Sequence, residues 1–493
     1  MKNLILFLIL SHLIGQLVFA SETGDWRVNG LLLPSRLQEA FYNQATAQTR
    51  FGENSFDYAG TDEILVDTFF PATGEILELG VTLSSGDITG DETGTYTIGS
   101  QGRVLLDLPD DSDLRAYTNL AQDTWIIPAI DANSMEFNIG TRKPQSLAVA
   151  DLEGDWTVAS LSLSSDLVEI YAPLSGGEAR VAPASTNFAA EDETLADLFF
   201  PEMPALETYS ISINSGGSIS GDFTGNASVD DTAKTVSLDI NGIGSLEFST
   251  NAGINLLARA QTNPDPEEGH PDAVELILGL KEKANPSLTD LAGIWRWQSF
   301  EIPARLIKNF YNTDTESFRQ TLNSQDFAQA NEILVDTYFS TELNTDNGLI
   351  SVNEDGLVTG SDPGSIAIEG GSIVYTPTTP DPEEGPLTLH LNETGEILLA
   401  SEVKDHYLTL LTLVKVESEA VSSLDALVDV KIHVNPSGNP SLNWNEATKF
   451  RLLKSTDLGG TWEVISETTD RGDFQDSDSG ATSGFYRIEV IAD

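Results

Sequence analysis

The sequence predicts an all-β protein made of three tandem antiparallel meander units and a small C-terminal β-sandwich-like domain. Three observations support this fold class. A Gly-x-Trp start recurs as GDWRVNGLLLP, GDWTVASLSLS and GIWRWQSFEIP. A second motif recurs downstream as EILVDTFFP, ETLADLFFP and EILVDTYFS, and Gly-rich turns separate short alternating apolar runs. The tryptophan and the glutamate are 37 positions apart in every unit, so the chain is an internal repeat.

Each predicted unit carries the same tryptophan, glutamate and aspartate. These residues are Trp26, Glu63 and Asp67; Trp156, Glu193 and Asp197; and Trp295, Glu332 and Asp336. The units are expected at 21–147, 148–287 and 288–418, and each is long enough for its own core. A residue present in every copy is better explained by packing than by catalysis. We therefore interpret the acids as structural, capping a turn or pairing with Arg36 or Arg305.

Inside each unit, the turn clusters ending at Gly90, Gly221 and Gly360 predict hairpins within a meander of six to eight strands. Such a meander can form a small barrel or a sandwich. Between the two repeated motifs, PSRLQEAFYN and PARLIKNFYN combine a first-turn proline with apolar residues four apart. This spacing predicts a short amphipathic helix inserted into each unit.

The first twenty residues, MKNLILFLILSHLIGQLVFA, place one lysine before a nearly uncharged apolar run. The run ends in Val18, Phe19 and Ala20, which predicts a secretory signal peptide over 1–20. The apolar core is short for a membrane span, and the polar SETGDW follows it. We therefore expect a secreted or periplasmic protein.

Composition restricts the partners of this chain. It has 25 Lys and Arg against 77 Asp and Glu, a formal net charge of −52, and no cysteine. A field of this sign repels nucleic acid and anionic lipid and favours a soluble monomer. The lack of cysteine excludes disulfides, and no later apolar run is long enough to cross a bilayer. The expected partner is an extracellular ligand, with carbohydrate as one option.

The pattern changes after residue 423, and 424–493 is expected to form a separate β domain. It contains KSTDLGGTWEVI, an Asp-box-like hairpin in which Ser455 and Asp457 bond turn groups and Trp462 packs beneath. Sialidases would be expected to carry several such boxes and an arginine cluster, so we interpret this single copy as structural. With the later FYR strand, the domain resembles small C-terminal domains of exported planctomycete and verrucomicrobial proteins.

The Gly-x-Trp start followed by a meander resembles the lipocalin-like barrels of the calycin group. The resemblance covers one three-residue motif per unit and the strand order. It implies an up-and-down barrel, with the tryptophan closing one end and an internal cavity. A barrel or sandwich filled by side chains fits the same pattern.

The paired acids Glu63 and Asp67, with their repeats, are candidates for glycoside hydrolysis. On a regular strand, positions i and i+4 lie about 13 Å apart on one face, which is beyond the separation of the two carboxyl groups in either glycosidase mechanism.

A candidate metal site is the stretch DSDSG, which offers Asp476 and Asp478 to calcium but lacks the later bidentate glutamate. Calcium is the one cofactor that the sequence leaves open, and otherwise we expect none.

Two similar polar clusters are candidates for ligand binding, because arginine beside tyrosine and asparagine can hold a sugar or a carboxylate. They consist of Arg36, Tyr42 and Asn43 in the first unit and Arg305, Tyr311 and Asn312 in the third. The second unit has SSDLVEIYA there and lacks the arginine and asparagine. The alternative is that these residues lie on a solvated face.

These observations favour an exported, non-enzymatic protein that displays or binds an unknown ligand through its repeats. One alternative is a carbohydrate-active hydrolase, which aromatics and two unlike carboxylates in one cleft would favour. Another is a carrier of small apolar ligands, which a large apolar cavity repeated in all three units would favour. Filled cores would favour the display role.

Overall fold

The computed structural model confirms the all-β class. It describes residues 23–34, 37–52, 62–70, 74–99, 101–109, 112–130, 134–173, 177–183, 189–190, 193–201, 203–264, 271–321, 328–329, 331–339, 344–378, 385–416, 430–434, 440–444, 449–455, 463–468, 472–475 and 485–491. Three closed eight-stranded barrels each carry an inserted three-stranded sheet, and two further three-stranded sheets follow. A 3-10 helix at Val149–Leu152 and one turn of helix, α1 (Leu288–Leu291), directly precede the second and third barrels.

The three units share one strand order. The first contains β1 (Gly24–Pro34), β2 (Gln38–Asn43), β3 (Gln48–Gly52), β4 (Glu63–Phe69), β5 (Glu75–Ser84), β6 (Asp87–Gly90), β7 (Gly94–Ile98), β8 (Arg103–Asp107), β9 (Ser112–Thr118), β10 (Thr124–Ile130) and β11 (Ser134–Arg142). The second contains β12 (Gly154–Ser164), β13 (Val168–Pro173), β14 (Arg180–Pro183), β15 (Glu193–Phe199), β16 (Ala205–Ile213), β17 (Ser218–Gly221), β18 (Gly225–Asp230), β19 (Thr235–Ile240), β20 (Gly244–Thr250), β21 (Leu256–Asn263) and β22 (Ala273–Lys281). The third contains β23 (Gly293–Pro303), β24 (Leu306–Asn312), β25 (Ser317–Thr321), β26 (Glu332–Phe339), β27 (Asn344–Val352), β28 (Leu357–Gly360), β29 (Gly364–Glu369), β30 (Ser372–Pro377), β31 (Leu387–Leu391), β32 (Ile397–Val403) and β33 (Tyr407–Val416).

Each barrel is an up-and-down meander closed by its first strand. That strand pairs antiparallel with the fifth and the last strand of its unit: β1 with β5 and β11, β12 with β16 and β22, and β23 with β27 and β33. The C-terminal strands are β34 (Val430–Val434), β35 (Pro440–Trp444), β36 (Lys449–Ser455), β37 (Glu463–Thr468), β38 (Gly472–Gln475) and β39 (Phe485–Ile491). They form the sheets β34-β35-β38 and β37-β36-β39.

The predicted helical insertion is wrong, because the segment is a β-strand in every unit. The strands β2, β13 and β24 are the central strands of the small sheets β3-β2-β4, β14-β13-β15 and β25-β24-β26. Apolar residues four apart, such as Leu37 and Phe41, share one side of a helix and equally one side of a strand. Phe41 and Phe310 are buried in a cluster to which all three small sheets contribute.

The first strand of each barrel is buried on both faces. In β1, Trp26 and Val28 belong to the cluster inside the barrel, whereas Leu31 and Leu33 belong to a cluster between barrels. The two sets have opposite parity, as the alternation of a strand requires. The cluster between the barrels contains residues of all three units, including Leu161 and Phe300. The barrels therefore pack into one body with a shared core.

The units are arranged around a pseudo-threefold axis. Equivalent phenylalanines at the C-terminal ends of the EILVD-type strands form a nearly equilateral triangle. Its ring-centroid distances are 6.2 Å for Phe70 to Phe200, 5.9 Å for Phe70 to Phe339 and 6.2 Å for Phe200 to Phe339. Each unit therefore contacts both of the others through this phenylalanine, which lies near the C-terminal end of the unit's first strand.

A second set of equivalent residues closes the ring near the other end of the first strands. Asn119, Asn251 and Asn392 each accept two backbone N–H bonds within their own hairpin turn. The residue four positions later then reaches the next unit. These contacts are Gly253 N to Asp123 Oδ2 (2.8 Å), Asn255 Nδ2 to Thr394 Oγ1 (3.3 Å) and Ala121 N to Glu396 Oε2 (3.0 Å).

Candidate functional site

The repeated tryptophans lie inside the barrels, at the end where the first strand begins. Trp156 Nε1 donates to the Leu152 carbonyl at 2.9 Å, and Trp295 Nε1 donates to the Leu291 carbonyl at 2.8 Å. Each carbonyl belongs to the single helical turn before the strand. Trp26 stacks on Trp125, with ring centroids 4.2 Å apart. The tryptophan thus anchors one end of each barrel.

The repeated glutamates form ion pairs with arginines of the small sheets, not with Arg305, while Arg36 lies outside the described residues. The N–O distances are 2.8 Å for Arg50 to Glu63, 2.8 Å for Arg180 to Glu193 and 2.7 Å for Arg319 to Glu332. Each arginine also lies over an aromatic ring: Phe41 at 4.5 Å, Tyr171 at 4.4 Å and Phe310 at 4.6 Å. Hydrogen bonds from the arginine lower the pKa of Glu193 and Glu332.

The repeated aspartates are separated from these glutamates by a β-bulge in each unit, so the strand alternation between the two acids is interrupted. Asp67, Asp197 and Asp336 are fully buried where the small sheets meet. There, one residue from each unit's central strand contacts the aspartate strand of another unit. Glu169 accepts from Thr68 N at 3.2 Å, Glu39 accepts from Thr337 N at 2.9 Å, and Lys308 pairs with Asp197.

One of these junctions holds two carboxyl groups together. Glu169 lies beside Asp67 and accepts a 2.8 Å hydrogen bond from the Tyr171 hydroxyl. Burial, reinforced by the adjacent Asp67, raises the pKa of Glu169 to about 10, and burial also raises the pKa of Asp67. Glu169 is therefore protonated at neutral pH and acts as part of the packing between units.

The tyrosine and asparagine of each predicted ligand-binding cluster lie next to a hairpin turn of a small sheet, whereas Arg305 precedes β24 at its opposite end and Arg36 lies outside the described residues. Asn43 Oδ1 accepts from the backbone N–H of residues 45 and 46, and Asn312 Oδ1 accepts from those of residues 314 and 315. Tyr311 packs on Phe318 with ring centroids 5.1 Å apart, while Tyr42 and Arg305 are half-buried. The asparagines thus have a local role in shaping the turns.

The calcium candidates Asp476 and Asp478 lie outside the described residues, as do Asp457 and Trp462 of the Asp-box-like stretch. Ser455 is the last residue of β36. Across the described ranges, no group of three or more His, Asp or Glu is placed to hold a metal ion. In the same ranges, no helix has the length and apolarity needed to cross a membrane.

The third barrel encloses a cavity of about 300 Å³. Its deep part lies next to Trp295 and Leu291 and is lined by aliphatic side chains. These include Ile350, Val352, Ile366, Leu389, Leu398 and Leu413. Its other end is lined by polar groups: Ser299, Glu301, Asp346, Asp362, Tyr375, Glu402, Tyr407 and Thr409. The cavity therefore has an apolar floor and a polar, acidic mouth.

This polarity follows from the sequence of single strands. The cavity-lining residues of β23 are Trp295, Trp297, Ser299 and Glu301, which alternate along the strand because every second side chain faces inward. On β33 the lining runs in the same spatial direction as Leu413, Leu411, Thr409 and Tyr407. Both strands thus change from apolar to polar in the same direction, β23 at Ser299 and β33 one pair later, at Thr409.

One wall of the cavity is the Trp297 indole, which is fixed in place by two neighbours. Its Nε1 donates to Ser361 Oγ at 3.0 Å. Opposite it on β27 stands Gly348, where an added Cβ would lie 2.6 Å from Nε1 and 2.2 Å from Ser361 Oγ. In the other barrels a valine faces a larger residue at this pair: Val28 opposite Leu79, and Val158 opposite Tyr209.

Sequence reasoning did not identify this site. The available signal was the second tryptophan of GIWRW, which the first two units replace with valine. At the mouth, Glu402 is paired with Lys404 at 2.8 Å. Glu301 and Asp346 occupy diagonal positions on β23 and β27, because Glu301 faces Asn344 and Asp346 faces Ser299.

Comparisons with known proteins leave the function open. No protein-family model matches the chain, and no curated protein matches it. Two solved mutants of transferrin binding protein B from Haemophilus parasuis Hp5 share 8% and 7% identity, cover 80% of this chain and 76% of their own, and give TM-scores of 0.19 and 0.21. Intact Ap-TbpB gives 8% identity, coverages of 80% and 77%, and a TM-score of 0.18. Overlaps this low support no functional argument.

Proposed function

We propose that this is an exported, non-enzymatic binding protein whose third barrel holds a small ligand with an apolar body. The observation that carries the proposal is the cavity of about 300 Å³ with its aliphatic floor and polar mouth. This volume is at the lower end of small-molecule pockets, which span about 300–1,000 Å³. An apolar group removed from water at the floor supplies affinity, and the polar mouth orients the ligand.

The walls of the cavity support a preformed site. Trp297 is held by Ser361 and by the space that Gly348 leaves, and Trp295 is held by the Leu291 carbonyl. Because these side chains are fixed before a ligand arrives, little conformational entropy is lost on binding. Export is proposed from the signal-peptide pattern of residues 1–20.

The test is a fluorescence titration with N-phenyl-1-naphthylamine, a neutral apolar probe. We expect saturable binding, with energy transfer from Trp295 and Trp297 to the probe. Leu411→Trp should fill the cavity, because Leu411 lines it at mid-depth, and should abolish saturable binding. Leu357→Trp is the matched control, since Leu357 is 53% exposed on the same barrel. Equal binding to wild type and Leu411→Trp would exclude the cavity as the site.

A second function, glycoside hydrolysis, is favoured by one observation at the mouth. Glu301 and Asp346 are unlike carboxylates at diagonal positions of neighbouring strands, beside the aromatic rings of Trp297 and Tyr407. Diagonal Cβ atoms lie at most about 8 Å apart, and glycosidase carboxyl pairs are separated by about 5–9.5 Å.

Hydrolysis is tested with a panel of p-nitrophenyl glycosides. An enzyme would release p-nitrophenol at a rate that falls at least about a hundredfold in Glu301→Gln. Our favoured function predicts no turnover by the wild type and unchanged naphthylamine binding by Glu301→Gln. Turnover that disappears in the variant would replace the binding function with the enzymatic one.

A further inference from the structure

The three boundaries between neighbouring barrels are built from equivalent residues, and they can be compared with one another. At each boundary the residue after the repeated tryptophan faces a fixed position on the next unit, two residues before the turn asparagine. Thr157 contacts His390, and Arg296 contacts Tyr117. At the third boundary the equivalent positions are Arg27 and Ser249, which line the same space. Differences among the three boundaries therefore reflect side chains, because the backbone arrangement is the same.

Direct side-chain contacts close two of the boundaries. Between the second and third barrels, His390 Nδ1 lies 2.8 Å from Glu282 Oε1 and 3.1 Å from Thr157 Oγ1. Between the third and first barrels, the Arg296 guanidinium lies 4.9 Å from the Tyr117 ring centroid and donates to Gln101 Oε1 at 3.1 Å. A large side chain fills the facing position in both cases.

The boundary between the first and second barrels has the small Ser249 at that position and leaves an open groove. Ser249 Oγ accepts from Asn29 Nδ2 at 2.8 Å and lies 3.1 Å from Thr141 Oγ1, forming a polar base. Above this base is a space of about 380 Å³ lined by both barrels.

The groove concentrates positive charge in a strongly acidic protein. Four of its twelve lining residues are Lys or Arg, whereas the whole chain has 25 among 493. They are Arg27, Lys143, Lys234 and Arg259. Glu78 and Glu247 also line the groove, so its lining carries four cations and two carboxylates, an excess of positive charge in a chain whose net charge is −52.

Two of these cations are left without a carboxylate partner. Arg27 pairs with Glu78, and Lys234 pairs with Asp231. Within the described residues, no carboxylate pairs with Lys143 or Arg259; Arg259 donates only to the Glu247 carbonyl, and its buried Nε has no partner. Burial lowers the pKa of Arg259 even though Glu275, Glu247 and Glu78 act in the opposite direction.

We propose that this groove is a binding site for an oxyanion, a carboxylate or sulfate group carried by a small ligand. Lys143 and Arg259 are its main contacts, one from each barrel. An oxyanion accepts charge-assisted hydrogen bonds from both cations, and the planar guanidinium suits its geometry. The site is separate from the cavity of the third barrel.

Isothermal titration of the purified full chain with sodium sulfate and with sodium glucuronate tests the proposal, with sodium chloride of matched ionic strength as reference. We expect saturable binding of at least one oxyanion, and the tighter of the two distinguishes an inorganic from a sugar-borne source. Lys143→Met and Arg259→Met should each weaken binding about tenfold. Lys283→Met, which removes a lysine that lines neither the groove nor the cavity of the third barrel, should have no effect.

A second measurement does not depend on variants. Acetylation of Lys143 by a succinimidyl ester, followed by mass spectrometry, should slow several-fold in saturating oxyanion but not in chloride, while Lys404 should react equally in both. Naphthylamine binding to each variant verifies that it is folded. The absence of saturable binding by both anions, or unchanged acetylation of Lys143, would overturn the proposal whatever the third barrel binds.

Discussion

At the scale of single residues, the cavity depends on an exchange of volume across two strands. The third barrel has Trp297 facing Gly348, where the other barrels have a valine facing leucine or tyrosine. In the third barrel the larger side chain of this pair is on the first strand, whereas in the other barrels it is on the fifth strand. The Trp297 indole therefore forms one wall of the cavity. The exchange shapes the cavity without changing the strand register.

Gly348→Ala tests this exchange. The new methyl group would overlap the Trp297 indole and the Ser361 hydroxyl, so Trp297 must leave its position. We expect the free energy of unfolding to fall by about 1–3 kcal/mol and naphthylamine binding to weaken. Urea unfolding and the fluorescence titration measure the two effects.

Gly99→Ala is the control, because an added Cβ there meets nothing closer than 3.7 Å. It should leave binding unchanged. If Gly348→Ala behaved like Gly99→Ala in both measurements, the fixed position of Trp297 would not be needed for the site.

The ion pairs of the small sheets could be predicted only in part from the sequence. The glutamates were found as repeats, but their partners were expected among other arginines. In each unit the arginine precedes its glutamate by 13 positions, as Arg50, Arg180 and Arg319 show. Comparing the three units with one another therefore also identifies these arginines as a repeat. The pairing itself depends on hairpin register, which spacing alone does not determine.

At the scale of elements, the small sheets join the units through buried polar side chains. The contact between β13 and β4 contains Glu169 and Asp67, with Tyr171 donating to Glu169 and Arg180 lying over the Tyr171 ring. A protonated Glu169 keeps this contact free of charge repulsion. This element contact is therefore expected to depend on pH.

Stability should fall as the pH rises. Folded Glu169 keeps its proton until about pH 10, whereas the unfolded residue loses it near 4.5, so unfolding releases a proton between these values. The free energy of unfolding therefore decreases with pH throughout this window. Urea unfolding at pH 6 and pH 9 should show this loss, and Glu169→Gln, which mimics the protonated form, should reduce it.

Glu178→Gln is the matched control, because Glu178 is exposed, and it should keep the wild-type pH dependence. A pH dependence that is the same in wild type, Glu169→Gln and Glu178→Gln would show that Glu169 is ionised in the folded protein.

The inserted elements also show why helix was predicted where a strand forms. Leu37 and Phe41, and their equivalents in the third unit, satisfy both periods over so short a segment. The segment becomes a strand because β3 and β4 flank β2 and satisfy its backbone hydrogen bonds on both sides. Neither partner is visible from the local sequence.

At the scale of the molecule, the largest apolar cluster lies between the barrels. Phe137 of the first unit and Phe300 of the third have ring centroids 5.4 Å apart within it. A barrel separated from its neighbours would expose this surface to water, which is unfavourable. The three units are therefore expected to unfold together.

Phe300→Ala should lower the free energy of unfolding by about 3–5 kcal/mol, because it leaves a cavity in the shared core. Tryptophan fluorescence during urea unfolding should show one transition for the barrels in wild type and variant. Phe318→Ala is the control, since Phe318 is 68% exposed, and should have a small effect. Separate transitions for individual barrels would contradict a shared core.

The sequence by itself determined the all-β class, the three repeats and the acidic charge, because alternation, turn residues and composition are local properties that survive without coordinates. Only the tertiary structure decided that the repeats close into barrels around a pseudo-threefold axis. It also decided that Trp297, Glu301 and Asp346 line one cavity and that Lys143 and Arg259 share one groove. Glu301 and Asp346 lie on neighbouring strands, and Lys143 and Arg259 belong to different units, so strand register and barrel packing bring them together.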